Sequence, residues 1–204
     1  MTSSDKNDPD DNPGTDGRAL RSERSRRKIV NALFELVGEG IMRPTAKQVA
    51  ARADLGIRTV FRHFDDMDSL FEQMTHRLRD ELRESLQIEV SDGSPSQRLD
   101  DLVGLRCEFI ERISPYWRAT AAQRSLSKYL TETHHQSDVP RLRANMHRWL
   151  PELKELPTDV TDALELILSP EAWHRLRIEQ KLSTKRATAA IRRTAKALCQ
   201  NEFI

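Results

Sequence analysis

Two arginines in the first third of the chain are spaced for binding a polyanion. Arg58 and Arg62 lie four positions apart, so on a helix both side chains project from the same face. A guanidinium group carries N–H donors in a rigid plane, and it grips either a phosphate or the O6 and N7 atoms of guanine. Ile57 and Thr59 are expected to face outward beside them. These residue types predict binding of a nucleic acid rather than bond-making chemistry.

The surrounding residues 45–64 are typical of a helix-turn-helix, two short helices joined by a tight turn. Thr45 and Gln48 form a capping box, which predicts the start of the first helix. Gly56 lies in the turn, and the second helix is predicted over residues 57–64. In such a unit the second helix enters the major groove of DNA. Three residues are predicted to anchor this helix in the core: Val60, Phe61 and Phe64.

The charge distribution also favours an acidic partner. The net charge of the whole chain is only +1, but residues 18–64 carry +7. Residues 1–17 carry −4 and contain Met1 as their only large apolar residue, so they are predicted to be a disordered acidic tail. A basic segment on an otherwise near-neutral chain favours a local polyanion partner.

Composition excludes several classes of protein. The 204 residues are 32% charged and 37% hydrophobic, which fits a soluble, helix-rich chain. No apolar run approaches the roughly 18 residues of a membrane span, and the polar N-terminus does not look like a signal peptide, so we expect a cytoplasmic protein that does not contact a membrane. Two distant cysteines exclude a disulfide framework, and no cofactor, metal site or catalytic motif is predicted, so we expect no enzymatic activity.

Beyond the helix-turn-helix, the sequence predicts an all-α protein of about nine helices. The first helix is expected over residues 21–39 and the fourth over 66–89. A fifth helix should begin at Pro95, behind a capping box of Ser94 and Gln97, and a new helix should start at Pro115. Further features are a loop over 131–137, a proline at 170 that either kinks or divides the eighth helix, and a last helix over 184–200.

The residues from Thr45 to Phe64 resemble the DNA-binding signature of the TetR (tetracycline-repressor) family. The family wording is close to T-x-x-x-I-A-x-x-A-G-V-S-x-x-T-L-Y-x-H-F, followed shortly by an S-K-E-x-L helix start that corresponds here to residues 66–70. The positions that agree, or carry a similar residue, are Thr45, Val49, Ala50, Ala53, Leu55, Thr59, Val60, His63, Phe64 and Leu70. The basic first helix and the all-helical remainder fit the same family, so the resemblance covers roughly residues 18–200.

Three positions depart from the family pattern. Gly56 replaces the serine that usually caps the second helix, and this weakens the cap by roughly a few tenths of a kcal/mol. Phe61 replaces a tyrosine and therefore has no hydroxyl to donate to a phosphate. Met67 replaces a lysine that usually meets a phosphate. These departures are expected to lower the affinity for DNA.

The resemblance implies a set of site residues and partners. Double-stranded DNA with a pseudo-palindromic operator is the implied partner, bound by a homodimer that forms through the last two helices. The implied DNA contacts are Thr45, Lys47, Ile57, Arg58, Thr59, Phe61, Arg62 and His63. A small-molecule ligand would bind in the C-terminal bundle, and the candidate lining residues are Arg106, Phe109, Trp149 and Trp173. Arg106 falls on an apolar stripe, where either a ligand or an acidic neighbour such as Glu165 would compensate its charge.

The predicted organisation is therefore a tail over 1–17, a DNA-binding domain over 18–64 and a ligand-binding and dimerisation bundle over 65–204. The function that the resemblance implies is a dimeric transcriptional repressor that a small ligand releases from DNA. Two alternatives stay open. The chain could bind DNA without any ligand, or it could be a helical adaptor or enzyme whose basic surface binds an acidic partner.

Overall fold

A computed structural model describes the backbone of residues 13–199, and the side chains of residues 17–199 except 81, 82, 84 and 85. These residues form ten α-helices and no strand. The helices are α1 (Pro13–Gly38), α2 (Ala46–Ala53), α3 (Ile57–His63), α4 (Met67–Leu86), α5 (Pro95–Arg124), α6 (Lys128–Thr133), α7 (Val139–Trp149), α8 (Thr158–Ile167), α9 (Pro170–His174) and α10 (Thr184–Cys199). The predicted all-α class is confirmed. Within the described residues, no helix is long and apolar enough to cross a membrane.

The helices enclose two hydrophobic cores. The first lies among α1 to α4 and includes Ile29, Leu33, Val49 and Val60. The second lies in the bundle of α5, α7, α8, α9 and α10. Helix α4 joins the two, because its first turns place Leu70, Phe71 and Met74 in the first core and its end packs Leu86 against the second.

The two helix starts with capping boxes form as predicted. The Thr45 hydroxyl accepts from the Gln48 amide at 3.3 Å, and the Gln48 side chain accepts from the Thr45 amide at 2.8 Å. Ser94 and Gln97 repeat this exchange at α5, with Pro95 in the first turn. Ser169 likewise caps α9, so Pro170 divides the predicted eighth helix rather than kinking it.

The N-terminal boundary differs from the prediction. Helix α1 begins at Pro13, so residues 13–17 belong to it rather than to a disordered tail. Residues 1–12, which carry the rest of the predicted tail, lie outside the described residues.

Helix α5 does not end at Pro115, and the prediction of a new helix there was wrong. The proline removes one backbone hydrogen bond from the helix interior, which costs about 3 kcal/mol. Packing on both sides of the proline offsets this cost: Ile110 is buried in the second core and Ala119 in the first. The helix stays continuous because its two ends are held by different cores.

The predicted loop over 131–137 is also helical. A single π-helical turn over His134–Asp138 links α6 directly to α7. Contacts from distant elements hold this polar segment, since Asp138 pairs with Arg79 of α4 at 3.4 Å and His134 lies 3.7 Å from Glu171 of α9. The local sequence carries no sign of these partners.

Candidate DNA-binding interface

Helices α2 and α3 are joined by a three-residue turn. Asp54 adopts the left-handed conformation, with φ 54° and ψ 50°, and the Leu55 amide donates to the Ala50 carbonyl at 3.0 Å. Gly56 is the N-cap of α3, and its carbonyl accepts from the Thr59 amide at 2.8 Å. No side chain caps this helix, which is what the replacement of serine by Gly56 leads one to expect.

A serine at this position should restore the cap. The backbone of Gly56 has φ −70° and ψ 143°, which any residue adopts, and the nearest atom to an added Cβ is the Thr59 hydroxyl at 4.0 Å. We expect Gly56→Ser to raise the free energy of unfolding above that of Gly56→Ala by about 0.5–1 kcal/mol, because only serine accepts a hydrogen bond from the first turn. Denaturant unfolding of the two variants side by side measures this difference. Equal stability of the two would contradict a capping role.

The outward face of α3 combines two cations and two apolar side chains. Arg58 and Arg62 are exposed, and so are Ile57 at 44% and Phe61 at 50%. The prediction that Phe61 anchors the helix in the core was therefore wrong. The other two predicted anchors are buried, Val60 at 2% and Phe64 at 4%. The resulting surface offers guanidinium groups for guanine or phosphate and apolar groups for the thymine methyl.

His63, at the end of α3, lies at the edge of this face. It is half-buried, and its Nε2 atom is enclosed without a hydrogen-bond partner among the described residues. Burial lowers the pKa of His63, and the positive charges of Arg62 and Arg26 lower it further. The imidazole is therefore mainly neutral at pH 7 in the DNA-free chain, and it adds no charge to the surface.

The remaining predicted contacts lie on α2 or in the first turn of α3. Lys47 is exposed, Thr59 is half-buried, and the exposed Thr45 already uses its hydroxyl in the capping box. The start of α1 adds a cationic surface to the same domain. Its exposed cations are Arg18, Arg21, Arg24, Arg27 and Lys28.

Not every cation of residues 18–64 is available to a partner. Arg52 donates to both oxygens of Glu39, at 2.8 and 2.7 Å, and pairs with Glu35 at 3.4 Å. These contacts fasten α2 to α1. Arg43 donates to the Ala122 carbonyl of α5 at 2.8 Å. By contrast, Arg58, Arg62 and Lys47 form no ion pair with another described residue.

The first domain rests on the bundle through aromatic packing. The rings of Phe34 on α1 and Tyr116 on α5 stack with centroids 3.9 Å apart. The Arg77 guanidinium of α4 lies 4.0 Å from the centre of the Phe34 ring. Gly38 makes room for this contact, since an added Cβ would lie 3.0 Å from the Tyr116 hydroxyl. Sequence reasoning missed this junction because its partners are far apart in the chain.

The predicted ligand-pocket residues divide among three places. Arg106 and Phe109 border a cavity of about 110 Å³ between α4, α5, α7 and α8. Trp149 does not border this cavity but a neighbouring one of about 170 Å³, which Arg106 and Phe109 also border. Trp173 borders neither of these two cavities. It is fully buried, and its indole N–H donates to Glu111 at 2.8 Å.

Comparison with solved structures places this arrangement of helices among known folds. A transcriptional regulator from Rhodococcus sp. Rha1 matches with a TM-score of 0.66 and 18% sequence identity, over 90% of this chain and 98% of that one. A protein assigned to the TetR family of transcriptional regulators, from Mesorhizobium loti MAFF303099, matches with a TM-score of 0.62 and 16% identity, over 89% and 98% of the two chains. No protein-family model and no curated protein matches. The chain therefore has the fold of the TetR-family regulators, as the resemblance of residues 45–64 predicted.

Proposed function

We propose that this chain is a sequence-specific DNA-binding transcriptional regulator. The observation that carries the proposal is the outward face of α3, where Arg58 and Arg62 stand exposed beside Ile57 and Phe61 without an ion pair to another described residue. A guanidinium that forms no internal pair is available to a base edge or a phosphate. The fold and the cationic start of α1 support the same function.

In this proposal the two parts of the chain have different functions. Residues 18–64 bind DNA, and residues 65–204 bind a ligand and form the dimer. The ligand would release the protein from DNA by acting through α4. Leu70 and Met74 of this helix pack in the first core, and its Thr75, Leu78 and Arg79 border the cavity. A ligand that favours one position of α4 would shift the population of DNA-binding states.

We further propose a homodimer through α8, which is the first part of the predicted eighth helix before Pro170, and α10, which is the predicted last helix. The two helices pack against each other, and their exposed faces carry opposite charge. Asp159 and Asp162 are exposed on α8, where Asp162 also pairs with Arg143 of α7 at 2.5 Å, and the exposed cations of α10 include Lys185, Arg186 and Arg193. If α8 of one protomer lies against α10 of the other, twofold symmetry makes the acidic and basic faces meet twice in one interface.

Leu166 tests this interface because it is an exposed apolar side chain of α8, at 68%. We expect Leu166→Arg to convert the dimer to a monomer, since a charge replaces apolar surface that the dimer buries, and to abolish binding to a two-half-site operator. Analytical ultracentrifugation measures the first effect. Leu126→Arg is the matched control, because Leu126 is 67% exposed in the turn after α5. A dimer that survives in Leu166→Arg but not in Leu126→Arg would place the interface elsewhere.

The experiment that tests the function is selection of bound fragments from sheared genomic DNA, followed by footprinting at two salt concentrations. A regulator protects one pseudo-palindrome and retains that site at moderate salt. Binding through phosphates alone disappears steeply as salt rises and shows no preferred site. That outcome would reject sequence-specific recognition and favour the adaptor alternative. A protected site whose affinity no small molecule changes would favour a regulator without a ligand.

A further inference from the structure

Arg106 is a buried cation without a carboxylate partner among the described residues. Its side chain is only 6% exposed, on the inner face of α5. One guanidinium nitrogen, Nη2, donates to the side-chain oxygen of Asn145 at 2.7 Å and to the Leu142 carbonyl at 3.2 Å. Both acceptors are neutral. Burial lowers the pKa of Arg106 to about 10, so the group still carries its charge at pH 7.

The carboxylates around the cavity are engaged elsewhere. Glu165 lies near enough to act on Arg106 electrostatically, but it forms its ion pair with Arg143. The other two acids that border the cavity are also paired. The three pairs are Glu165–Arg143 at 2.5 Å, Asp138–Arg79 at 3.4 Å and Glu171–Arg124 at 4.0 Å. The alternative of an ion pair between Glu165 and Arg106 is therefore wrong. Glu165 shares Arg143 with Asp162 and acts on Arg106 only electrostatically, and Arg106 has no ion-pair partner among the described residues.

The cavity has a shape that limits its occupant. Arg106, Phe109, Ile113, Trp117 and Thr120 line it along one face of α5. These positions span roughly 20 Å at 1.5 Å of helix rise per residue, so the cavity is long and narrow. Its volume of about 110 Å³ holds on the order of ten atoms the size of a water oxygen.

The rest of the wall is mainly apolar. It includes Leu78, Val139, Leu142, Met146 and Leu168. The Trp117 indole N–H adds a buried donor that has no partner among the described residues. An apolar wall with an unpaired cation on it matches a ligand that has an apolar body and a single negative charge.

We propose that this cavity binds an elongated apolar monocarboxylate whose carboxylate pairs with Arg106. The ion pair compensates the buried guanidinium, and the hydrocarbon chain follows the face of α5. The inference rests on the proposed function only in the last step, that occupation of the cavity weakens binding to DNA through α4. Binding itself is independent of that step and is measured without DNA.

Three probes with the same eight-carbon chain test the charge requirement: octanoate, octanamide and octylamine. Calorimetric titration of the full chain gives their affinities, and thermal unfolding gives an independent readout, because a ligand of the folded state raises Tm. We expect octanoate to bind at least about tenfold more tightly than octanamide, since hydrogen bonds between charged groups are stronger than neutral ones. Octylamine should raise Tm less than octanoate.

Arg106→Met tests the assigned partner. The substitution replaces a buried cation by an apolar side chain of similar length. Because Arg106 forms no ion pair, its removal leaves no buried carboxylate without a partner, although the hydrogen bonds to Asn145 and Leu142 are lost. We expect it to reduce the affinity for octanoate at least about tenfold and to leave the affinity for octanamide within about threefold. Arg106→Lys keeps the charge and should retain part of the preference for octanoate. Arg83→Met is the matched control, because Arg83 is an exposed cation of α4, away from the cavity.

The outcomes separate this inference from the proposed function. If octanamide or octylamine binds as tightly as octanoate, or if Arg106→Met binds octanoate like the unmodified chain, the inference is overturned even when sequence-specific DNA binding stands. If octanoate binds through Arg106 but leaves operator affinity unchanged, the site stands and ligand release fails. If octanoate binds and no operator is found, the site stands and the proposed function fails.

Discussion

Replacing Arg62 by alanine is expected to abolish specific DNA binding and leave the fold intact. A bidentate contact between arginine and guanine contributes about 1–3 kcal/mol of discrimination, and a dimer loses it at both half-sites. The expected loss of operator affinity is therefore on the order of 10² to 10⁴-fold. Because Arg62 is exposed and forms no ion pair with another described residue, the free energy of unfolding should change by less than about 0.5 kcal/mol.

A second variant distinguishes base reading from phosphate binding. Lys47 lies exposed on α2, the helix that crosses the DNA backbone in such units. Lys47→Ala should weaken binding to all sequences uniformly and reduce the salt dependence, whereas Arg62→Ala should relax the preference at one position of the site. Titration of operator and scrambled DNA at several salt concentrations measures both. Unchanged operator affinity in Arg62→Ala would reject the assignment of α3 as the reading helix, and Arg83→Ala controls for loss of a remote exposed cation.

Replacing Trp173 by alanine is expected to have the largest effect on stability. The side chain is fully buried in the second core, and removal of such a ring typically costs 3–5 kcal/mol. For a chain of this length the corresponding fall in Tm is roughly 10 °C. The loss of the hydrogen bond to Glu111 adds little, because that carboxylate keeps its contacts with Arg177 at 2.6 and 3.0 Å and with Thr184 at 3.2 Å.

Trp173→Phe separates the volume of the ring from its hydrogen bond. Phenylalanine keeps most of the apolar volume, so this variant should lose about 1–2 kcal/mol. Leu126→Ala, at an exposed apolar side chain, should stay within about 0.5 kcal/mol of the unmodified chain. All variants must be unfolded at one protomer concentration, since association contributes to the apparent stability. A loss below 1 kcal/mol in Trp173→Ala would mean that the bundle repacks around the missing ring.

Features that depend on residues three or four apart could be predicted from the sequence. The capping boxes of Thr45 with Gln48 and of Ser94 with Gln97 each involve one turn of helix, so the sequence contains both partners within four letters. The buried face of α10 follows the same rule, with Ala187, Ile191 and Ala195 at helical spacing. Helix-turn-helix architecture was predictable because it is built almost entirely from such local signals.

The failed predictions share one cause. Helix α3 has only seven residues, so the spacing of its apolar side chains does not determine which face meets the core. For that reason the sequence did not distinguish an exposed Phe61 from a buried one. Pro115 looks like a helix break to any local rule, but packing of the two halves of α5 against different cores overrides it. The π-helical turn over His134–Asp138 depends on Arg79 and Glu171, which no local window contains.

The helical class, the helix-turn-helix and the cationic character of residues 18–64 follow from the sequence, because helix periodicity, capping and charge are properties of neighbouring residues. Which of these charges are already paired within the chain depends on how the helices pack. Arg52 pairs with Glu39, Glu165 with Arg143 and Glu111 with Arg177, whereas Arg62 lies on the surface without an ion pair and Arg106 borders the cavity without an ion pair to any described carboxylate. A partner many residues away is brought close only when the helices pack, and for that reason the availability of a charge for DNA or for a ligand cannot be read from the chain alone.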